Sequence, residues 1–325
     1  MEEERNMNVS IHAASRRSKP RLSRGDRVFV WVNYALLILI TIVTLYPLLF
    51  VISASISDPK AVASGKMILL PIDPTLEAYR FIFNYQEIWT GYANTIFYTF
   101  FGTLINLALT VPAAYALSRR DCPCKGFIMT LFMITMYFGG GLIPGYLNIR
   151  QLGLLNSRAV LLICGAVSTY NLIVARTTWQ RRSPRTTSPW ELHEAAFLDG
   201  CSDFGILRRI VLPLSSPIIV VLILYYGVTH WNSYFNALIY LTSREKYPLQ
   251  VFLREILTLG QFVSDQLMNA DNLSPDAMQE LIKQADTANM IKYAVIIVST
   301  VPMMVIYPWV QKYFAKGIMI GSVKG

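Results

Sequence analysis

"EAAFLDGCSDFGILRRIVLPLSSP", Glu194 to Pro217, lies between two long apolar runs, and its reading decides what the rest of the chain is for. Just upstream, Ser188, Pro189 and Glu191 fall at the Ncap, N1 and N3 positions of a capping box, which predicts a helix from about Pro189 to Asp199. Gly200 then supplies a residue able to leave the helix in the left-handed region. A second helix is expected from Ser202 or Asp203, with Phe204, Leu207 and Val211 on one face, until Pro213 kinks or ends it. The product is a helix-turn-helix bracket. Ala195 and Ala196 are small enough for another backbone to come close, and Phe197 and Leu198 are apolar groups for which a solvated loop has no use. The bracket has the composition of a docking element.

The remainder is composed for lipid. Of 325 residues, 54% are hydrophobic and 15% charged, which argues against a soluble domain. Asp, Glu, Lys and Arg are absent from Val28 to Ser57, Ile88 to Ser118, Gly126 to Ile149, Ala159 to Ala175, Ile210 to Ser243 and Tyr293 to Gln311. A helix of about 20 residues crosses a hydrocarbon core of about 30 Å. The runs therefore predict an all-α membrane protein with six transmembrane helices, over about 28–55, 93–117, 126–147, 158–176, 210–234 and 290–311.

Orientation follows from the basic residues, which resist translocation. Those of the N-terminal tail, of "RRDCPCK" after the second run, of Arg176 to Arg209 after the fourth and of the C-terminus make up 19 of the 29. They share one face, so both termini and the bracket are expected in the cytoplasm. Residues 1–27 read as a basic tail without apolar period, and 28–325 as the transmembrane domain. The formal charge of +9 is a topology signal and an attraction to the lipid bilayer, with no nucleic acid implied. The first run is too long for a signal-peptide core and reads as a retained anchor. Cys122 and Cys124 form a C-x-C that no second pair completes into a zinc site, so no metal is expected.

Function is bounded by what the runs lack. Apart from His230 they hold no ionisable Asp, Glu, Lys, Arg or His, whereas an ion-coupled carrier usually binds its ion through such groups or through opened backbone. There is no phosphate loop, no H-E-x-x-H and no G-x-S-x-G, and the three histidines stand apart, so the chain is read as no enzyme and as binding no cofactor itself. The fifth run ends in "YYGVTHWNSYFNALIYL", where Tyr226, His230, Trp231, Asn232, Tyr234 and Asn236 offer aromatic faces and amides. That is the chemistry of a sugar site; an interfacial aromatic belt has the same composition. "YFGGGLIPGYL" breaks the third run near its outer end, either as a cavity lining or as an early end of the span. Two outer segments remain, an irregular one from Asp58 to Glu87 and a longer one from Arg244 to Lys292, in which Ser274 and Pro275 start a short helix, "SPDAMQELIKQA".

Glu194-Ala195-Ala196, three residues, Gly200, nine residues and Ile210-x-Leu212-Pro213 resemble the EAA signature of permease subunits in bacterial ATP-driven (ABC) importers. "AAYALSRRD", "GGLIPGYLNIRQLGLLNSRAV", "WNSYFNALIYL" and "KGIMIGSVKG" are similar to the maltose-type carbohydrate-uptake class, and within it to the complex-oligosaccharide branch. The resemblance covers nearly everything after the basic tail. It implies that Glu194, Ala195, Ala196, Phe197, Leu198, Asp199, Gly200, Phe204, Ile210, Leu212 and Pro213 contact an ATPase. It further implies a second permease subunit forming a heterodimer, two ATPase subunits that use ATP and Mg, an extracytoplasmic solute-binding protein and a carbohydrate substrate. The loop between Arg176 and Glu194 is longer than that family's usual spacing and rich in Arg, Ser and Thr. The rival readings are a secondary carrier or channel working without an ATPase, and a membrane-embedded enzyme or scaffold.

Overall fold

A computed structural model describes residues 23–119, 121–180, 189–268 and 275–322. The expected basic tail up to residue 22, the predicted caps Ser188 and Ser274, the core of the Arg-rich loop and the last three residues lie outside the described residues. By contacts the chain divides into two units, Met1–Val51 and Ile52–Gly325. The first helix, α1 (Arg24–Ser55), runs through that division as one element, and the apolar side chains from Val28 to Leu49 are almost all exposed.

In the second unit, α2 (Pro59–Ala63) and α3 (Glu77–Asn84) precede the long α4 (Gln86–Ser118). Then come α5 (Lys125–Tyr137), α6 (Leu142–Gln151), α7 (Arg158–Ile163), α8 (Thr169–Gln180) and α9 (Pro189–Leu198). They are followed by α10 (Asp203–Ile206), a π-helical turn (Leu207–Val211), α11 (Leu212–Leu214), α12 (Ser216–Trp231), α13 (Phe235–Tyr240), α14 (Leu249–Met268) and α15 (Pro275–Ser322). The all-helical expectation holds for the described residues. Three of these helices are long and apolar enough to cross a membrane, namely α1, α4 and Ile291–Trp309 within α15; two sharply bent pairs raise the number to five.

The straight runs expected from composition are broken in three places. The third, over 126–147, divides into α5 and α6, bent by 115° at Phe138–Gly141, where Gly141 takes a φ of +85° that side chains with a Cβ resist. The fourth, over 158–176, divides into α7 and α8 across Cys164–Ser168, with Gly165 at φ +77°. The fifth bends by 85° at Ser215 and ends at Trp231. Elsewhere helices are longer than expected: α4 starts at Gln86, and the stretch from Pro275 is continuous with the last run, because nothing between Pro275 and Lys292 interrupts a helix. The outer segment after Asp58 is also less irregular than expected. Asp58 caps α2 through Ala61 N, and Ser57 Oγ accepts from Ile72 N at 3.2 Å.

Backbone freed by such breaks must be paired inside protein when it lies at membrane depth. One stripe of α4 does this. Asn94 Nδ2 donates to the carbonyls of Glu245 (2.7 Å) and Tyr247 (3.0 Å), Thr95 Oγ1 accepts from Leu249 N (2.8 Å), and Tyr98 donates to Lys246 O (2.8 Å). Further along, Asn106 Nδ2 donates to Ala166 O (3.0 Å) and Gly165 O (3.4 Å) at the α7–α8 break, and Thr110 meets Tyr226 Oη at 2.7 Å. These positions recur about every fourth residue, so they share a helix face. A polar stripe on an apolar helix holds the broken elements in place.

Candidate functional site

The bracket forms by local rules. Cys201 N donates to Ala196 O (2.9 Å) and Gly200 N to Phe197 O (3.0 Å), the two bonds of a Schellman closure, with Gly200 at φ +80°. Ser202 Oγ accepts from Gly205 N (3.3 Å) and caps α10, whose winding continues through the wider π turn. The inner face is apolar: Ala196, Ile206, Leu207 and Val211 are buried in one cluster with Leu117 of α4 and Leu172, Ala175 and Trp179 of α8.

Two expectations about these side chains change. Phe204 does not share the buried face of Leu207 and Val211, which lie with Ile206 in the core cluster; Phe204 is 72% exposed. Ala196 is buried within its own chain, so its small methyl serves internal packing, while Ala195 is exposed. The outer surface comprises Glu194, Ala195, Phe197, Leu198 (85% exposed), Asp199, Gly200 and Phe204. Ile210 and Leu212 are half-buried and Pro213 is exposed. Three large apolar groups thus stand on solvent at the turn, on an element whose other side is set in the core.

Two attachments fix the bracket to neighbouring helices. Arg119, just past α4, donates from Nε to Asp121 (2.9 Å) and from a terminal nitrogen to Asp203 at the start of α10 (2.5 Å). Its side chain is mostly shielded; the hydrogen bonds to Asp121 above all, with burial opposing and Asp203 assisting, push its pKa above the ordinary guanidinium value. The second attachment lies at the bend. Trp179 Nε1 donates to Ser215 Oγ at 2.6 Å, both groups buried, and the Trp179 ring meets Tyr115 edge-on. The bend falls two residues beyond Pro213, the expected breaker. Pro213 lies within the continuous winding from Asp203 to Leu214, just past the π turn, and Pro217, lacking an N–H, leaves the Pro213 carbonyl without its helical donor.

The six residues expected along a substrate path separate into two groups. Tyr226, His230 and Trp231 are buried, and their polar atoms bond within the chain. Tyr226 Oη accepts from Ser168 N (3.1 Å), His230 Nε2 meets Asn106 Oδ1 (2.8 Å), and Trp231 Nε1 donates to Ser299 O (3.1 Å). A Cβ on Gly102 would stand 2.5 Å from the His230 ring, so that glycine makes room for the imidazole. Asn232 and Asn236 are exposed and Tyr234 is half-buried, its ring beneath the guanidinium of Arg254 at 4.8 Å. Sequence reading missed Asn106, Arg119, Trp179, Ser215 and Arg254. The four-residue spacing of polar groups on α4 was the available signal for Asn106; none marked Trp179 or Ser215 as partners 36 residues apart.

Comparison with known proteins places the site in a family context. Residues 88–320 match the model of the binding-protein-dependent transport system inner membrane component family. The chain is 38% identical over 92% of its length, and 99% of the relative's, to the polygalacturonan/rhamnogalacturonan transport system permease protein YtcP of Bacillus subtilis. It is 35% identical to the LplC protein of the same organism, covering 93% of this chain and 97% of that one. Among solved structures, a bacterial ABC transporter involved in the import of the acidic polysaccharide alginate matches with a TM-score of 0.77 and 35% identity, over 91% of this chain and 100% of that one.

Proposed function

We propose, from the premise that this chain belongs to the family of binding-protein-dependent transport system inner membrane components, a specific division of labour within an importer. The chain is a multi-pass permease subunit of an ABC importer for oligosaccharides, in a bacterial cytoplasmic membrane. In our reading it contributes six spans, with both termini in the cytoplasm, and pairs with a second, non-identical permease. Two ATPase subunits bind ATP and Mg, and an extracytoplasmic solute-binding protein delivers the sugar. Relatives named for polygalacturonan and for the acidic polysaccharide alginate support fragments of a carboxylate-bearing polysaccharide as the cargo.

The observation that carries this reading is the two-faced bracket, with Phe197, Leu198 and Phe204 exposed beside a wall of buried Ala196, Ile206, Leu207 and Val211. An ATPase surface closing on the exposed groups would displace a rigid element. That element is joined to α12 at Ser215, to α8 through Trp179 and to α4 through Arg119. Closure would therefore move three helices together and alternate access between the two sides. The test is purification from native membranes followed by mass spectrometry and uptake assays in vesicles. Recovery of an ATPase and a second permease with the wild type, and loss of the ATPase alone with Leu198→Asp, is expected. ATP-independent uptake by the chain alone would refute the reading in favour of a secondary carrier.

A further inference from the structure

We infer that the outer groove between α13 and α14 is a recognition subsite for a uronate unit of the oligosaccharide, with Arg254 binding the carboxylate and Tyr234 the sugar face. This rests on the importer reading above. The groove encloses about 510 Å³, and Tyr234, Leu238, Arg254, Thr258, Leu259 and Phe262 line it. That size is within the range of small-ligand sites.

The charges select an acidic ligand. Glu255 also borders the groove, but both its oxygens accept from Arg244, at 3.0 and 3.3 Å, and Arg244 is shared with Glu87 at 2.7 and 2.9 Å. Arg254 forms no ion pair among the described residues and is exposed. Its guanidinium lies over the Tyr234 ring, which steadies the group, and Arg254 itself lines the groove. A planar fork of donors matches a carboxylate in two-point contact. Thr258, one turn along α14 and also exposed, presents a hydroxyl on the same face. Leu259 and Phe262 extend an apolar wall suited to the C–H face of a pyranose. A neutral sugar can accept from the guanidinium only through hydroxyls, without the charge-assisted two-point contact, and an inorganic anion has no use for the rings; a sugar acid uses both.

The experiment is equilibrium titration of the purified transporter assembly in nanodiscs with trigalacturonate and with its carboxyl-reduced, neutral counterpart, for wild type, Arg254→Gln, Arg254→Lys and Glu255→Gln. Wild type is expected to prefer the acid, and Arg254→Gln to lose about 10- to 100-fold in affinity for it with the neutral trisaccharide unaffected. Arg254→Lys keeps the charge without the fork and should recover part of the loss. Equal loss for both sugars, no change, or no binding of the acid by wild type overturns the subsite, and assigns the groove to packing or to the solute-binding protein. ATP-driven uptake by the same wild-type assembly is measured in parallel. Uptake persisting without Arg254-dependent binding sinks only the subsite, whereas absent uptake sinks the importer reading itself.

Discussion

The bond between Trp179 and Ser215 is the point at which the bracket's bend is locked, and a double-mutant cycle measures what it contributes. Ser215→Ala leaves a buried indole N–H without an acceptor, and an orphaned buried donor costs about 1–3 kcal/mol. Trp179→Phe removes the donor, but the remaining hydroxyl can turn to a carbonyl of the preceding helical turn, as Thr177 does to Ile173 O at 2.8 Å. Its hydrogen-bond cost is therefore smaller, about 1 kcal/mol, added to the packing lost against Tyr115. In the double variant no unpaired indole survives. The two effects should fall short of additivity by about 1–2 kcal/mol, within the range of contacting pairs. Thermal unfolding of the purified chain in detergent reads this as a drop of about 2–6 °C for Ser215→Ala and a clearly smaller drop from that substitution in the Trp179→Phe background. The ratio of ATP hydrolysed to sugar imported should rise in both single variants, because the bend no longer transmits motion to α8. Additive losses within about 0.3 kcal/mol would refute the coupling, and an unchanged ratio would refute its part in transmission.

Three further outcomes are expected. On the bracket, Phe204→Asp alters an exposed group and should change thermal stability by less than about 0.5 kcal/mol while abolishing ATPase recovery in pull-down, whereas Ala196→Leu overfills a buried site and should cost about 1–3 kcal/mol. Gly102→Ala places a methyl on the His230 ring and should lower the melting temperature more than Gly126→Ala, where a Cβ meets nothing within 4 Å. Asn106→Leu strips partners from His230 and from the Gly165 and Ala166 carbonyls, at about 1–3 kcal/mol for each group left unpaired; hydrogen exchange should show the α7–α8 break opening first.

Much of the bracket was legible because its chemistry is local. Pro189 at the start of α9, Gly200 in the left-handed region and Ser202 capping α10 each act on backbone within a few residues, so spacing alone located them. Which face was which was not legible. The core-facing side is set by Ile206, Leu207 and Val211 packing in one cluster with residues of α4 and α8, and Phe204, expected on a face with Leu207 and Val211, is left exposed. The aromatic residues at the end of α12 and just beyond it suggested a path for sugar, yet Tyr226, His230 and Trp231 turn inward and pair with groups more than 50 residues away.

Composition and spacing by themselves determined an all-helical chain with runs apolar enough to cross a membrane, and a helix-turn-helix bracket closed at Gly200. These follow from the cost of charge in hydrocarbon and from helix-end chemistry, both of which act along the chain. Only the tertiary structure decided where the apolar runs break. A glycine permits a break but does not require one; the break persists at membrane depth when another helix supplies donors for the freed carbonyls, as Asn106 does for Gly165 and Ala166. Partners 59 and 60 residues apart are set by packing, which no local pattern encodes.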